Sequence, residues 1–216
     1  MGQYILDQPE GIGLYKWEDD DYYVGEWKGA KLKGQTKPLM KGVDYKGEYI
    51  EGVPNGTGKI IFEDGTVYSG QMDQGQCTGI GEVTYSCGYV CQGQFLEGVP
   101  SGKASLKTEK GVFEGDWDKG FFVHGTFTDI NGHIFKGEFV NKKLQGQGVK
   151  IWPSGKRLEI RWLNGVAEGR GKKIQPDGRV EEVFCYKGKF VKGNIPEWME
   201  DNLENRFLEE MNLVTF

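Results

Sequence analysis

Apolar and polar residues alternate in short stretches along most of the chain, and glycines bound each stretch. In Tyr45-Lys46-Gly47-Glu48-Tyr49, residues two apart face the same side of an extended backbone, so Tyr45, Gly47 and Tyr49 share one face and Lys46 and Glu48 the other. This alternation predicts β-strands with one apolar stripe. The pairs Asp64-Gly65, Asn131-Gly132, Ser154-Gly155 and Asp177-Gly178 read as tight hairpin turns, because Asn-Gly and Asp-Gly favour the positive φ that such turns require. Successive strands are therefore expected to pair antiparallel.

The pattern repeats. Tyr45-x-Gly47-x-Tyr49-x-x-Gly52, Tyr68-x-Gly70-x-Met72-x-x-Gly75 and Cys91-x-Gly93-x-Phe95-x-x-Gly98 follow one another at steps of 23 residues. The same order continues in Phe113-x-Gly115-x-Trp117-x-x-Gly120 and in Phe135-x-Gly137-x-Phe139, and upstream in Tyr23-x-Gly25-x-Trp27. Leu158-x-Ile160-x-Trp162-x-x-Gly165 is a degenerate copy, and Tyr186-x-Gly188-x-Phe190-x-x-Gly193 reads as the last one, after an insertion around Arg179–Cys185. A second motif, Gly-x-Gly followed by an aromatic and a turn glycine, recurs in Gly56-x-Gly58 with Phe62 and Gly65, Gly79-x-Gly81 with Tyr85 and Gly88, and Gly146-x-Gly148 with Trp152 and Gly155. Ala104 replaces the second glycine after Gly102, and Thr36 replaces it after Gly34. Gly11-x-Gly13 with Trp17 sits at the same offset before Tyr23, so the array is expected to begin with a half unit.

A period of this length marks a repeat architecture, in which no hairpin buries enough surface to stand alone and stability comes from stacking neighbours. The glycine between two apolar residues is expected to leave room for rings of the neighbouring unit to lie over the backbone. Tyr-x-Gly-x-Trp/Phe-x-x-Gly with its following Gly-x-Gly resembles the MORN repeat (membrane occupation and recognition nexus), from about Gly11 to Gly193. The fold expected is all-β, an elongated single-layer antiparallel sheet of tandem MORN β-hairpin repeats with one C-terminal amphipathic α-helix. Residues 1–22 are read as an N-terminal half repeat and cap, 23–193 as about seven to eight repeats, and 194–216 as the helical segment.

The helix follows from a change of period. Pro196 and the acidic residues Glu197, Glu200 and Asp201 suit a first helical turn, and Met199, Leu203, Phe207 and Met211 then recur every four residues. Such a helix either covers the last hairpin or docks a partner. The stretch before Gly11 reads as edge cover and Glu18–Asp21 as a solvated acidic loop.

Composition sharpens this picture. The chain has 35 glycines but only 7 prolines in 216 residues, and aromatics reach 13%, which points to a thin aromatic core with glycine in regular use. The net charge of −5, with Lys and Glu interspersed, gives no basic stripe for a nucleic acid. No apolar run has transmembrane length, and Met1-Gly2-Gln3-Tyr4-Ile5-Leu6 lacks signal-peptide character and has Leu6 where myristoylation wants Ser or Thr. A cytoplasmic protein is expected, in which Asn55-Gly56-Thr57 is not glycosylated and Cys77, Cys87, Cys91 and Cys185 are free thiols. His124 and His133 have no zinc-type spacing to the cysteines. The Gly-x-Gly pairs precede no helix that could hold a phosphate, the acid pairs Glu181-Glu182 and Glu209-Glu210 read as solvated charge, and no serine sits in a Gly-x-Ser-x-Gly elbow. No catalytic residue, cofactor or metal site is expected.

The function expected is a non-enzymatic scaffold or adaptor that binds protein partners. Trp27, Tyr49, Met72, Phe95, Trp117, Phe139 and Trp162 on the repeat face, with Trp198, Leu203 and Phe207 on the helix, are the candidate contact residues. The resemblance implies a structural subunit of a cytoskeletal assembly such as a cilium or axoneme, and exposed terminal strands would allow a homodimer. The alternative is a peripheral phospholipid-binding module, for which Lys28, Lys31, Lys33, Lys37 and Lys41 are the nearest basic cluster; the acidic balance argues against it.

Overall fold

A computed structural model describes residues 3–5, 8–16, 22–28, 31–36, 44–50, 53–199, 202, 203 and 206, with those before residue 44 described as backbone alone. The described residues up to Thr108, with Trp117–Gly120, form one compact unit, and Glu109–Asp116 with those from Phe121 onward form the other. In the first unit run β1 (Gln3–Ile5), β2 (Gln8–Lys16), β3 (Tyr22–Lys28), β4 (Lys31–Thr36), β5 (Asp44–Ile50), β6 (Val53–Ile61), β7 (Val67–Asp73), β8 (Gln76–Thr84), β9 (Val90–Leu96) and β10 (Val99–Thr108). After β11 (Gly111–Asp118), the second unit continues with β12 (Phe121–Asp129), β13 (Ile134–Val140), β14 (Lys143–Ile151), β15 (Arg157–Leu163), β16 (Val166–Ile174), β17 (Val180–Tyr186) and β18 (Lys189–Phe190). Each strand from β1 to β10 pairs antiparallel with the next, and so does each from β12 to β18. The expected half unit is preceded by a strand, because β1 pairs with β2 through Gln3 and Glu10.

Two kinds of turn alternate, and their chemistry differs from the sequence expectation. Gln74-Gly75, Glu97-Gly98, Asn164-Gly165 and Lys187-Gly188 have positive φ at both residues, which makes them type I′ turns matched to strand twist. Only one of these four reads Asn-Gly. At the opposite end, Phe62 N–H donates to the Thr66 carbonyl and Gly65 N–H to the Phe62 carbonyl, each at 2.9 Å. There Gly65 alone has positive φ, so Asp64-Gly65 and its equivalents close type I turns ending in a glycine bulge. The Asp64 side chain instead accepts from the Thr66 N–H at 2.8 Å.

The central glycines face each other across strands: Gly47 opposes Gly58 and Gly70 opposes Gly81. A Cβ on Gly70 would come within 2.5 Å of the Gly81 Cα and 2.6 Å of the Tyr68 hydroxyl. At this glycine the covering ring comes from the same strand; at Gly148 it comes from the neighbouring unit, as expected, with Trp162 3.0 Å from the position of such a Cβ. The Tyr68 hydroxyl donates to the Gln71 carbonyl at 2.6 Å, and Tyr45 repeats the arrangement with the Glu48 carbonyl at 2.9 Å. Neighbouring units meet through the ring edges, as in Tyr68 against Phe95 at 5.6 Å and Phe135 against Trp162 at 6.1 Å between centroids.

The first glycine of each Gly-x-Gly pair has a separate duty. Gly79 takes φ of 58° where the register of β7 and β8 shifts, and the Ile80 N–H just past the bulge is satisfied by Gln71 Oε1 at 2.6 Å. Gly34 faces Gly25 directly and its hairpin has no register shift, so Thr36 does not stand in a required glycine position.

The end of the array also differs from its sequence reading. Lys187-Gly188 is a turn, and Val180–Tyr186 is a regular strand whose Cys185 opposes Gly169 as Trp162 opposes Gly146. No insertion interrupts the repeat; Tyr186-x-Gly188-x-Phe190 imitated the motif out of register. The chain then becomes helical at residues 197–199, 202, 203 and 206. Leu203 packs with Leu163 and Phe184, flanked by Tyr186, Val191, Ile195 and Met199. Leu163 is 3% exposed, whereas Ile50 and Leu96, its equivalents at the ends of β5 and β9, are 38% and 56% exposed. Glu168 is fully buried and accepts from Arg206 Nη1 at 2.7 Å and from the Lys187 N–H at 2.9 Å. Of the two sequence readings of the helix, covering the last hairpin describes its packing.

Gly70→Ala is expected to lower stability by about 1–3 kcal/mol, since overpacking falls on backbone that cannot yield; Ala104→Gly, at the equivalent of Gly81, should cost no more than about 1 kcal/mol. Urea midpoints compare the two. Arg206→Met should strand the Glu168 carboxylate and cost near the lower end of about 3–5 kcal/mol, because Arg206 keeps part of its surface in water; faster hydrogen exchange at the Lys187 amide checks it.

Candidate functional site

Tyr49, Met72, Phe95, Trp117, Phe139 and Trp162 are each at most 6% exposed, so the structure places these candidate contact residues within the packed layer. Each lies four residues after the first apolar position of its repeat and faces the glycine-pair side of the sheet. The Trp117 indole N–H donates to the Ala104 carbonyl at 3.0 Å, which ties that ring to the preceding strand. Leu203 is 4% exposed beneath the helix, and Trp198 is 57% exposed and meets Tyr186 edge to face, with the ring centroids 6.0 Å apart. Trp27 is described as backbone on β3, opposite Gly11 and Leu32. Phe207 and Met211 lie outside the described residues, as do Glu18–Asp21, Lys37 and Lys41, while Lys28, Lys31 and Lys33 are described as backbone on β3 and β4.

Where packing leaves the layer open, another set of residues gathers that shares only Met72 with the first. In the first unit, Tyr45, Pro54, Ile60, Phe62, Met72 and Cys77 line a concavity of about 320 Å³ whose rim includes Glu97 and Gly98. Three consecutive hairpins build it. Tyr45 and Ile60 oppose each other across β5 and β6, and Met72 opposes Cys77 across β7 and β8. Phe62 stands at the turn and is 37% exposed, an apolar ring offered to solvent at the mouth. Sequence reasoning missed Pro54, Ile60 and Phe62 because it followed the first strand of each repeat; the wall comes from the second. The periodic aromatic after Gly-x-Gly was the available signal.

The second unit carries another concavity, of about 790 Å³, along β17 and the segment after β18, with Glu181, Glu182, Val183 and Phe184 on one wall and Phe190, Val191, Lys192 and Ile195 on the other. Its charges are already partly matched, with Lys173 Nζ 2.7 Å from Glu181 and Lys172 Nζ 3.9 Å from Glu182.

Among the described residues, no three His, Cys, Asp or Glu side chains gather to hold a metal ion, and no helix is long and apolar enough to cross a membrane. His124 and His133 each sit beside an aspartate of their own hairpin region, 3.6 Å from Asp116 and 3.0 Å from Asp129. Burial pushes the thiols of Cys77, Cys91 and Cys185 up to about 11, and for Cys185 the buried Glu168 carboxylate adds to the effect. All four cysteines are free, and only Cys87 is exposed. With thiol reagent at about pH 8, one fast-reacting thiol, Cys87, is expected, because the other three are both protonated and covered; Cys87→Ser should abolish the fast phase, and denaturant should release the rest.

The MORN repeat family matches residues 1–22, 45–67, 68–86, 91–111, 113–134, 135–157 and 161–178. None of the curated proteins matches the chain. Among solved structures, the wild-type TCP10 domain of Danio rerio CPAP is similar in fold, with a TM-score of 0.52 at 12% identity over 86% of this chain and 90% of that one. The same zebrafish domain in complex with a peptide of Danio rerio STIL gives a TM-score of 0.43 at 15% identity, over 87% and 96%. The SAS-4 (dCPAP) TCP domain of Drosophila melanogaster, in complex with a proline rich motif of Ana2 (dSTIL), gives 0.42 at 10% identity, over 81% and 90%. With its opposed glycines, bulge glycines and alternating turns accounted for strand by strand, and seven segments matched, the chain belongs to the MORN-repeat family.

Proposed function

We propose that this chain is a non-enzymatic protein-binding scaffold, and that the apolar concavity of its first unit is where a partner segment docks. The observation that carries the reading is the contrast between that mouth and the rest of the layer. The first-strand residues Tyr49, Met72, Phe95, Trp117, Phe139 and Trp162 are buried, whereas Phe62, with Tyr45, Pro54, Ile60, Met72 and Cys77 behind it, borders an apolar cleft open to solvent. A partner residue inserted there would be desolvated against rigid walls, which is how interface anchors gain affinity. In this reading Tyr49, Met72, Phe95, Trp117, Phe139 and Trp162 hold the surface in shape from within; Trp198 is the exposed ring on the helical segment.

Residues 23–193 serve as the body of the scaffold, and 194–216 close its end. A cytoplasmic location within a cytoskeletal assembly, such as a cilium or axoneme, is the setting that the repeat family suggests. A long-lived assembly needs subunits with stiff, repetitive surfaces, and nearest-neighbour stacking supplies that stiffness.

Phe62→Glu should keep the fold, since the ring is partly exposed, and should reduce capture of partners from a ciliated-cell extract by at least about tenfold, as expected for loss of an interface anchor. Ile130→Glu, at a residue 74% exposed on a turn of the second unit, is the matched control. Recovery of no stable partner by the wild-type chain, or equal recovery by both variants, would sink the proposal.

A further inference from the structure

The second strand of a repeat is nine or ten residues long in β6, β8, β10, β14 and β16, but β18 has only two. Its partner β17 keeps the full seven residues of a first strand. The described part of the array therefore ends on a strand whose outer edge is only partly covered.

The hydrogen-bond phase of β17 shows which groups face outward. Gln175 N–H donates to the Arg179 carbonyl at 2.9 Å, so Gln175 and Arg179 form a bonded pair at the turn. Bonded pairs alternate along an antiparallel ladder. With the unbroken register of β16 and β17, the next bonded pairs are Lys173 with Glu181 and Gly171 with Val183. The N–H and C=O groups of Val180, Glu182 and Phe184 then point away from β16. The parity is confirmed independently, because the Phe184 carbonyl accepts from the Val191 N–H at 2.9 Å, on the outer side. Among the described residues, that contact is the last outer rung: no strand pairs with Glu182 or Val180 on this side, and the concavity of about 790 Å³ runs alongside Glu182 and Phe184.

We propose that the edge of β17 takes an extended segment of a protein partner, added antiparallel as the missing second strand, with a basic residue opposite Glu182. Backbone rungs at Glu182 and Val180 would hold it, and its side chains would enter the space between Phe184 and Ile195. Side-chain charge selects the occupant. Glu182 has 75% of its side chain exposed and only a 3.9 Å contact with Lys172, so a Lys or Arg directly across would complete a favourable cross-strand pair. A second copy pairing β17 to β17 about this point would set Glu182 against Glu182, and charges on edge strands are a recognised guard against such self-pairing. The proposal deepens the protein-binding reading and rests on it, but it assigns a second site distant in sequence from Phe62.

The probe is a synthetic peptide with the central sequence Thr-Val-Lys-Val-Thr, compared with Thr-Val-Glu-Val-Thr. The lysine peptide should slow hydrogen exchange at the Val180 and Glu182 amides and bind roughly fivefold more tightly than the glutamate peptide, as opposite and like cross-strand charges predict. Glu182→Pro removes one outward N–H and leaves the inward rungs to Lys173 and Gly171, so the fold should persist and peptide protection should be lost. Glu182→Lys should reverse the preference between the two peptides. Protection elsewhere, or unchanged binding by Glu182→Pro, overturns the proposal, as does concentration-dependent self-association that Glu182→Pro abolishes, because the occupant would then be a second copy. If Glu182→Pro binds normally while Phe62→Glu loses partner capture, the edge assignment fails and the scaffold reading stands; if the wild-type chain captures nothing and binds neither peptide, both fall.

Discussion

Everything in this fold depends on how closely two backbones can approach at the opposed glycines. A sheet with no second layer over it has nothing to bury its apolar stripe against, so the stripe must be folded down onto the sheet itself. At Gly70 and Gly81 the absence of Cβ atoms lets the Tyr68 ring lie flat across both strands, where its hydroxyl reaches the Gln71 carbonyl. Burial of a ring of this size contributes about 1.5–3 kcal/mol, and the hydroxyl bond relieves the cost of enclosing a polar group. The burial also pushes the Tyr68 phenol up to about 12, keeping it a neutral donor across the physiological range.

From that contact the rest of the repeat follows. A ring lying over its own strand exposes an edge to the next hairpin, which is where Tyr68 meets Phe95; Phe135 makes a similar edge contact with Trp162. The type I′ turns add a backbone link between units: Gly75 N–H donates to the Pro54 carbonyl, Gly98 N–H to Cys77 and Gly165 N–H to Leu144, each at 2.9 Å. Units are thereby coupled by both side-chain and main-chain contacts to their nearest neighbours. Among the described residues no hairpin follows the last repeat, and the helical segment packs in that place. Leu203 covers Leu163, and Arg206 supplies the second partner of Glu168, where the preceding repeat instead uses Gln145 to accept from the Asn164 N–H of the next turn.

The same economy explains why function settles where packing fails. The apolar residues at the first-strand repeat positions are largely consumed by the fold, so open apolar surface comes from other positions, such as Phe62 beside its turn, or from a strand that stops short, as at β18.

The sequence by itself determined the period, the antiparallel hairpins, the apolar stripe and the family, because strand alternation and glycine spacing are local properties written into adjacent residues. It also marked Met199 and Leu203 as one face of a helix. It misplaced the last repeat, since Tyr186-x-Gly188-x-Phe190 carries the motif letters while Val180–Tyr186, with Glu181 in the aromatic position and Val183 in the glycine position, carries the strand. Register depends on which residues lie across the ladder, and that is not local. Only the tertiary structure decided that Gly70 admits its own strand's ring while Gly148 meets Trp162 of the next unit, that the helix covers Leu163, and that Pro54, Ile60 and Phe62 open a cleft, because each depends on the volume left after neighbouring hairpins have packed.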